Sequence, residues 1–158
     1  MIEPNNPRER RLVLRLLAFW REIAGDRSMP APADVDGSRI PDMWGHCFLV
    51  DVRPAGGPVF DYVGEHHLNG FVRGDSKGLP LSAASTDTLL GQAVSYHHQV
   101  LARGIPITLG GQFATTGGRT VIYRSILLPL GEEGRIVGLL GGANCRELTS
   151  GEGPLDVR

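Results

Sequence analysis

A chain of 158 residues is long enough for one domain with its own hydrophobic core, and it needs no disulfide or metal to hold it. Acidic and basic residues nearly cancel to a formal charge of -1, so neither nucleic acid nor a membrane surface is the expected partner. No apolar run approaches the about 20 residues of a membrane span, and arginines interrupt the first one, so no signal peptide is read and a cytoplasmic location is expected.

The first element is an amphipathic helix. Asn6 as cap, Pro7 at the first helical position and Glu9 as the partner of a capping box open it, and Gly25 closes it. Leu12, Leu16, Phe19 and Ile23 recur at helical spacing, widened by Val13, Leu17 and Trp20, while Arg8, Arg11, Arg15 and Glu22 fall on the other side. The arginines read as a solvated face or a patch for an acidic partner; the apolar stripe reads as a cover for a sheet or a seam for a second copy. Residues 1–25 are therefore assigned to a cap or dimerisation helix. Residues 26–45, broken by Pro30, Pro32 and Pro41, form a linker with at most a helical turn near Ser38.

Residues 46–146 are read as the core, and 147–158 as a loosely held tail. Strands are expected at 46–52 and 59–63, joined through Pro54-Ala55-Gly56-Gly57, followed by short helices and loops over 64–85. One long helix is expected over 87–103, capped by Ser85, Thr86 or Asp87 and stopped by Gly104. A strand over 105–113 then leads into two long strands joined at Gly131-Glu132-Glu133-Gly134. In the first of these, Val121, Tyr123, Ser125 and Leu127 share one face, and Ile122, Ile126, Leu128 and Leu130 the other. A sheet apolar on both faces must be covered on both.

The order of elements resembles a PAS domain, and local words resemble a bacterial family of short, single-domain PAS proteins. The words are Leu17-Ala18-Phe19-Trp20, Ile40-Pro41, Tyr62-Val63-Gly64 leading to Gly74-Asp75 and Gly78, and Tyr123-Arg124-Ser125-Ile126-Leu127-Leu128-Pro129-Leu130. The resemblance implies an α+β fold: a five-stranded antiparallel sheet in the order 2-1-5-4-3, with the long helix and short helices cupped over one face. The amphipathic N-terminal helix is then the cover of the other face.

No nucleophile elbow, P-loop, metalloprotease or convincing dinucleotide motif is present, so a non-catalytic module is expected. The pocket expected between long helix and sheet takes Val94, His97 and Leu101 from the helix and Tyr62, Gln112, Tyr123 and Ser125 from strands; the four polar groups His97, Gln112, Tyr123 and Ser125 would orient a small polar ligand. Gly110-Gly111 and Gly141-Gly142 mark either close packing or room for a ligand.

His97 lies near the middle of the helix's apolar arc, where some haem-binding PAS sensors place their ligand, but a core histidine hydrogen-bonded to a neighbour explains it better. His98 points about 100° away, so the pair does not readily share one ion, and no metal site is assigned. His66-His67 falls among the short helices without an assigned role. Flavin photochemistry of the light-sensing PAS kind needs a cysteine in a helical motif, whereas Cys47 lies on a strand and Cys145 just beyond one. Cys47 and Cys145 show no CxxC spacing and read as reduced thiols. In the implied strand order their strands are neighbours, and a redox pair is the less favoured reading.

The function read here is a regulatory module that binds a small-molecule ligand or a signalling protein and acts on a separate output protein, as a homodimer through its N-terminal helix and sheet. Two other classes are kept: a small α+β enzyme with His97 or Asp61 as general base, and a ligand-free interaction scaffold.

Overall fold

The computed structural model describes residues 7–70 and 77–148, the side chains of 7–10 and 69–70 excepted. Helix α1, Pro7–Ala24, starts at the proline, whose fixed φ suits a first helical position. The Asn6–Glu9 capping box, the Gly74-Asp75 word and residues 149–158 of the tail lie outside the described residues. At its C-terminal end Gly25 takes φ +60°, and Arg27 donates to the carbonyls of Ile23 and Ala24 at 2.7 and 3.1 Å, pairing two acceptors the helix leaves open.

The linker holds a short helix α2, Pro41–Trp44, then the chain enters β1, Cys47–Asp51, and β2, Val59–Val63. A 3-10 segment follows at Glu65–Gly70. Helices α3, Leu89–Val94, and α4, His97–Arg103, precede β3, Ile107–Ala114, β4, Thr120–Glu132, and β5, Arg135–Glu147. All five strands pair antiparallel in the order β2-β1-β5-β4-β3, the order the resemblance implies. Glu133 and Gly134 both take positive φ at the β4–β5 turn, the handedness that a two-residue hairpin loop requires.

The long helix expected over 87–103 is instead two helices. Thr88 is the N-cap of α3, its hydroxyl accepting from the Gly91 amide at 3.2 Å. The chain then breaks at Ser95-Tyr96, where the Ser95 hydroxyl turns back to the Gln92 carbonyl and the Tyr96 ring enters the core. Burying that ring with its hydroxyl paired accounts for the interruption. Gly104, with φ +69°, ends α4 as the sequence indicates.

Two apolar clusters sandwich the sheet. On one side the helical cap packs Phe48, Phe60, Leu90, Val94, Tyr96, Val100 and Leu127 together. On the other, Leu12, Val13, Leu16, Phe19 and Trp20 of α1 pack on Cys47, Ile126, Leu128, Leu130 and Leu140. The apolar stripe of α1 is thus used on its own sheet, leaving Leu14 as its large exposed apolar side chain. The Trp20 indole donates to the Pro129 carbonyl at 2.8 Å inside this layer. On the polar side of α1, Arg15 pairs with Asp42 at 2.7 Å and Glu22 with Arg39 at 2.6 Å, tying the linker down.

Gly141 and Gly142, adjacent on β5, face opposite sides. A Cβ at Gly141 would stand 2.2 Å from the Phe48 ring under the cap, and one at Gly142 would stand 2.6 Å from Leu16 of α1. Their missing side chains make room for the protein's own core. The two cysteines are free. Cys47 pairs in register with Gly142, so Cys145 lies three residues, or about 10 Å, further along β5. Cys145 also stands opposite Tyr123 on the cap face, whereas Cys47 faces α1, and no disulfide joins them.

Candidate functional site

The chemistry gathers beneath the cap, where three elements bring polar groups into an apolar layer. Strict alternation along β4 turns Tyr123, Ser125 and Leu127 toward the cap. Ser125 is fully buried, and its hydroxyl donates to the Leu109 carbonyl on β3 at 3.0 Å. Its proton being used there, Ser125 Oγ accepts from the Tyr96 hydroxyl, 2.9 Å away. A directed relay therefore runs from the α3–α4 junction through β4 to the edge strand β3. Burial pushes the Tyr96 hydroxyl well above its ordinary pKa, which keeps it protonated and a donor.

Tyr123 adds a longer contact, its hydroxyl donating to Gln92 Oε1 at 3.4 Å, while its ring meets Phe113 edge-on. Gln92 is itself held by donating to the Thr86 carbonyl at 2.6 Å.

The third element is the 3-10 segment, which buries His67. Its Nε2 lies 2.7 Å from the His46 carbonyl, which can only accept, so Nε2 carries the proton and Nδ1 is a bare acceptor. Nδ1 is buried and has no hydrogen-bond partner among the described residues. The ring stands edge-on to Phe48 at 5.6 Å, and burial lowers its pKa to about 4. Leaving such an acceptor unpaired costs about 1–3 kcal/mol, and a donor arriving there would recover it. Outside, His46 and His66 stack at 4.1 Å; burial, then the neighbouring His66, lowers the His46 pKa.

Of the residues proposed from the sequence, Val94, Tyr123 and Ser125 lie in the cap layer, and half-buried Leu101 packs against it. Tyr62 does not. Between Phe60 and Tyr62 the ladder with β1 skips Asp61, and this bulge turns Tyr62 to the face of Leu49, where it stacks on Trp44 at 4.4 Å and donates to the Trp44 carbonyl. Gln112 is also displaced: it pairs with Ile122, which places it exposed on the outer face.

His97 sits at the first position of α4, half-buried, with Nδ1 2.9 Å from the Val94 carbonyl and its ring against His98. The break before α4 moves it out of the mid-helix position that the haem reading needed. Asp61 is exposed beside Lys77, 3.8 Å away, and lies outside the apolar pocket in which the enzyme reading placed its general base. Among the described residues, no three His, Cys, Asp or Glu side chains converge on a point that would hold a metal ion.

Sequence reasoning missed Tyr96, Gln92 and His67. Tyr96 lies one helical turn before Val100, on the margin of the same arc, so its amphipathic ring was a usable signal. His67 stands in a short irregular segment where no period marks a buried face.

The PAS domain family matches residues 9–142. The chain belongs to this family. No curated protein matches it. Among solved structures, this PAS domain is similar to the LOV domain of Aureochrome1, a blue-light photoreceptor, with 14% identity, TM-score 0.46, and coverage of 73% of this chain and 90% of the other. It is similar to the LOV domain of a blue-light-activated histidine kinase from Erythrobacter litoralis, with 11% identity, TM-score 0.46, and coverage of 65% and 95%. A LOV protein of Rhodobacter sphaeroides gives 15% identity, TM-score 0.44, and coverage of 75% and 71%. Among the described residues of this PAS domain, no helix is long and apolar enough to cross a membrane.

Proposed function

We propose that this PAS domain is a non-catalytic cytoplasmic sensor whose cap binds a small ligand and whose α1 and outer surface pass the change by contact to a separate protein, with a homodimer as the working form. Residues 46–146 serve as the sensing core and residues 1–25 as the element that carries output. The observation that supports this most is the buried relay from Tyr96 through Ser125 to Leu109. A ligand with its own donor or acceptor competes for Ser125, and releasing Tyr96 shifts the α3–α4 junction. Because α1 packs on the reverse side of the same strand and bonds Pro129, a population shift under the cap is felt by α1.

Cys47 and Cys145 both stand on strands, so the cap helices offer no cysteine to a flavin. Flavin and haem remain ligands that an absorption spectrum reads directly. Native mass spectrometry of the freshly purified full chain, with that spectrum, tests the proposal. A retained mass or chromophore band that weakens in Ser125→Ala supports it. A clean apo mass, with no change in melting temperature across a metabolite panel, overturns it in favour of a filled interaction scaffold. That second reading is favoured by Gly141, whose open space the Phe48 ring already fills.

A further inference from the structure

The two edges of the sheet are managed differently. At the β2 edge the chain returns on itself: the Phe60 amide donates to the Leu79 carbonyl at 2.9 Å, the Gly78 amide to the Phe60 carbonyl at 2.7 Å, and Val59 bridges Pro80. Among the described residues the β3 edge has no such cover in the sheet order, and its ladder with β4 runs from Ile107 to Ala114 without a bulge. Natural edges are blunted by charged side chains, prolines or bulges. Within Ile107–Ala114, ITLGGQFA, there is no charge and no proline. Every second residue of an edge strand turns its backbone N–H and C=O outward, so this strand is an open template for a further one.

The side chains along it differ by face. Toward the cap lie Ile107, Leu109 and Phe113, with Leu109 exposed and Ile105 exposed just before the strand. On the outer face lie Thr108, Gly110 and Gln112. Arg124 of β4 stands directly opposite Gly110, half-buried, and runs along it: a Cβ on Gly110 would be 3.6 Å from Arg124 Cγ and 3.9 Å from its guanidinium carbon. With no side chain at Gly110, this cation is open to whatever lies beyond β3. Among the described residues no carboxylate is ion-paired with Arg124.

We propose that the β3 edge docks an extended segment of a partner protein as a sixth strand. Its cap-side residues are apolar, and an Asp or Glu on its outer side faces Gly110 and pairs with Arg124. Backbone pairing supplies the general affinity, and the Arg124–carboxylate contact supplies the register. A second copy of this chain suits the edge poorly, because its β3 brings no acid and its own Arg124 comes with it. The inference does not rest on the cap binding a ligand.

The test is selection of displayed random octapeptides on the full chain and on Arg124→Glu, after circular dichroism and melting show that the variant folds. The wild type is expected to enrich alternating apolar sequences with Asp or Glu at one position, and the variant to enrich Lys or Arg at that position. The winning wild-type peptide should slow amide exchange along β3 and bind at least 10-fold more weakly to Arg124→Gln, which also serves if the charge reversal fails to fold. Enrichment indifferent to residue 124, absence of any β3-dependent binder, exchange protection elsewhere, or β3 amides already protected in a dimer of this chain would each overturn it.

Discussion

The two sides of this sheet are built by different rules. The α1 side is one continuous helix whose apolar stripe meets β4 and β5, and its interior polar contacts are capped simply, Trp20 on Pro129 and the Cys47 thiol on the Met43 carbonyl. The cap side is made of short pieces and carries His67, Tyr96 and Ser125 in its interior. Buried polar groups are costly to mispair, so this side's stability depends on what it pairs with. The difference teaches that the α1 face rests mainly on apolar packing, whereas the cap face also depends on buried polar groups finding their partners.

The largest test of that contrast is acid. In the unfolded chain His67 titrates near the ordinary 6.5, whereas burial lowers its folded pKa to about 4. The folded state favours the neutral ring, so the contribution of His67 is fully present above pH 6.5 and is lost progressively as pH falls toward 4. The total is about 3 kcal/mol at about 1.4 kcal/mol per unit. His67→Leu should flatten the urea-unfolding profile between pH 6.5 and 4 by that amount; an unchanged slope would show that the cap carries no such sensitivity.

A middle-sized effect compares the two faces at adjacent residues. Gly141→Ala drives a methyl into the Phe48 ring, which cannot swing aside, and should cost about 2 kcal/mol. Gly142→Ala crowds the Leu16 Cδ2 methyl, the far end of a flexible side chain, and otherwise meets Cys47 Sγ and the His46 carbonyl at ordinary contact distances, so it should cost under about 1 kcal/mol. Equal losses in chemical denaturation would remove the distinction between the aromatic ring seated on Gly141 and the side-chain methyl over Gly142.

The α1 side was the legible one. Leu12, Leu16 and Phe19 at helical spacing, and Ile126, Leu128 and Leu130 in strict alternation, each named their face in advance because periodicity persisted over the whole element. The cap was less legible where the period fails. The bulge at Asp61 reverses the parity of Tyr62, and the sequence carries no mark of it. Gln112 was assigned to the cap although its partner Ile122 was read on the opposite face; only the β3–β4 register joins the two. The arc of the expected long helix continues through the break, so periodicity hid the Ser95-Tyr96 turn that sets Tyr96 on Ser125 and His97 at a helix start.

The smallest effect isolates the relay itself. Tyr96→Phe removes a donor and leaves Ser125 Oγ with its remaining bond to Leu109, for a loss of about 1 kcal/mol. Ser125→Ala removes the acceptor instead, strands the Tyr96 hydroxyl in the apolar layer, and leaves one lone pair of the Leu109 carbonyl unused; its loss should be larger, about 2 kcal/mol. The double variant should cost less than the sum of the singles, because once the serine is gone the tyrosine hydroxyl is only a stranded donor whose removal brings relief. A double-mutant cycle from urea denaturation measures this directly. Strict additivity would mean that Tyr96 and Ser125 act independently, and a ligand displacing one would then send no signal through the other.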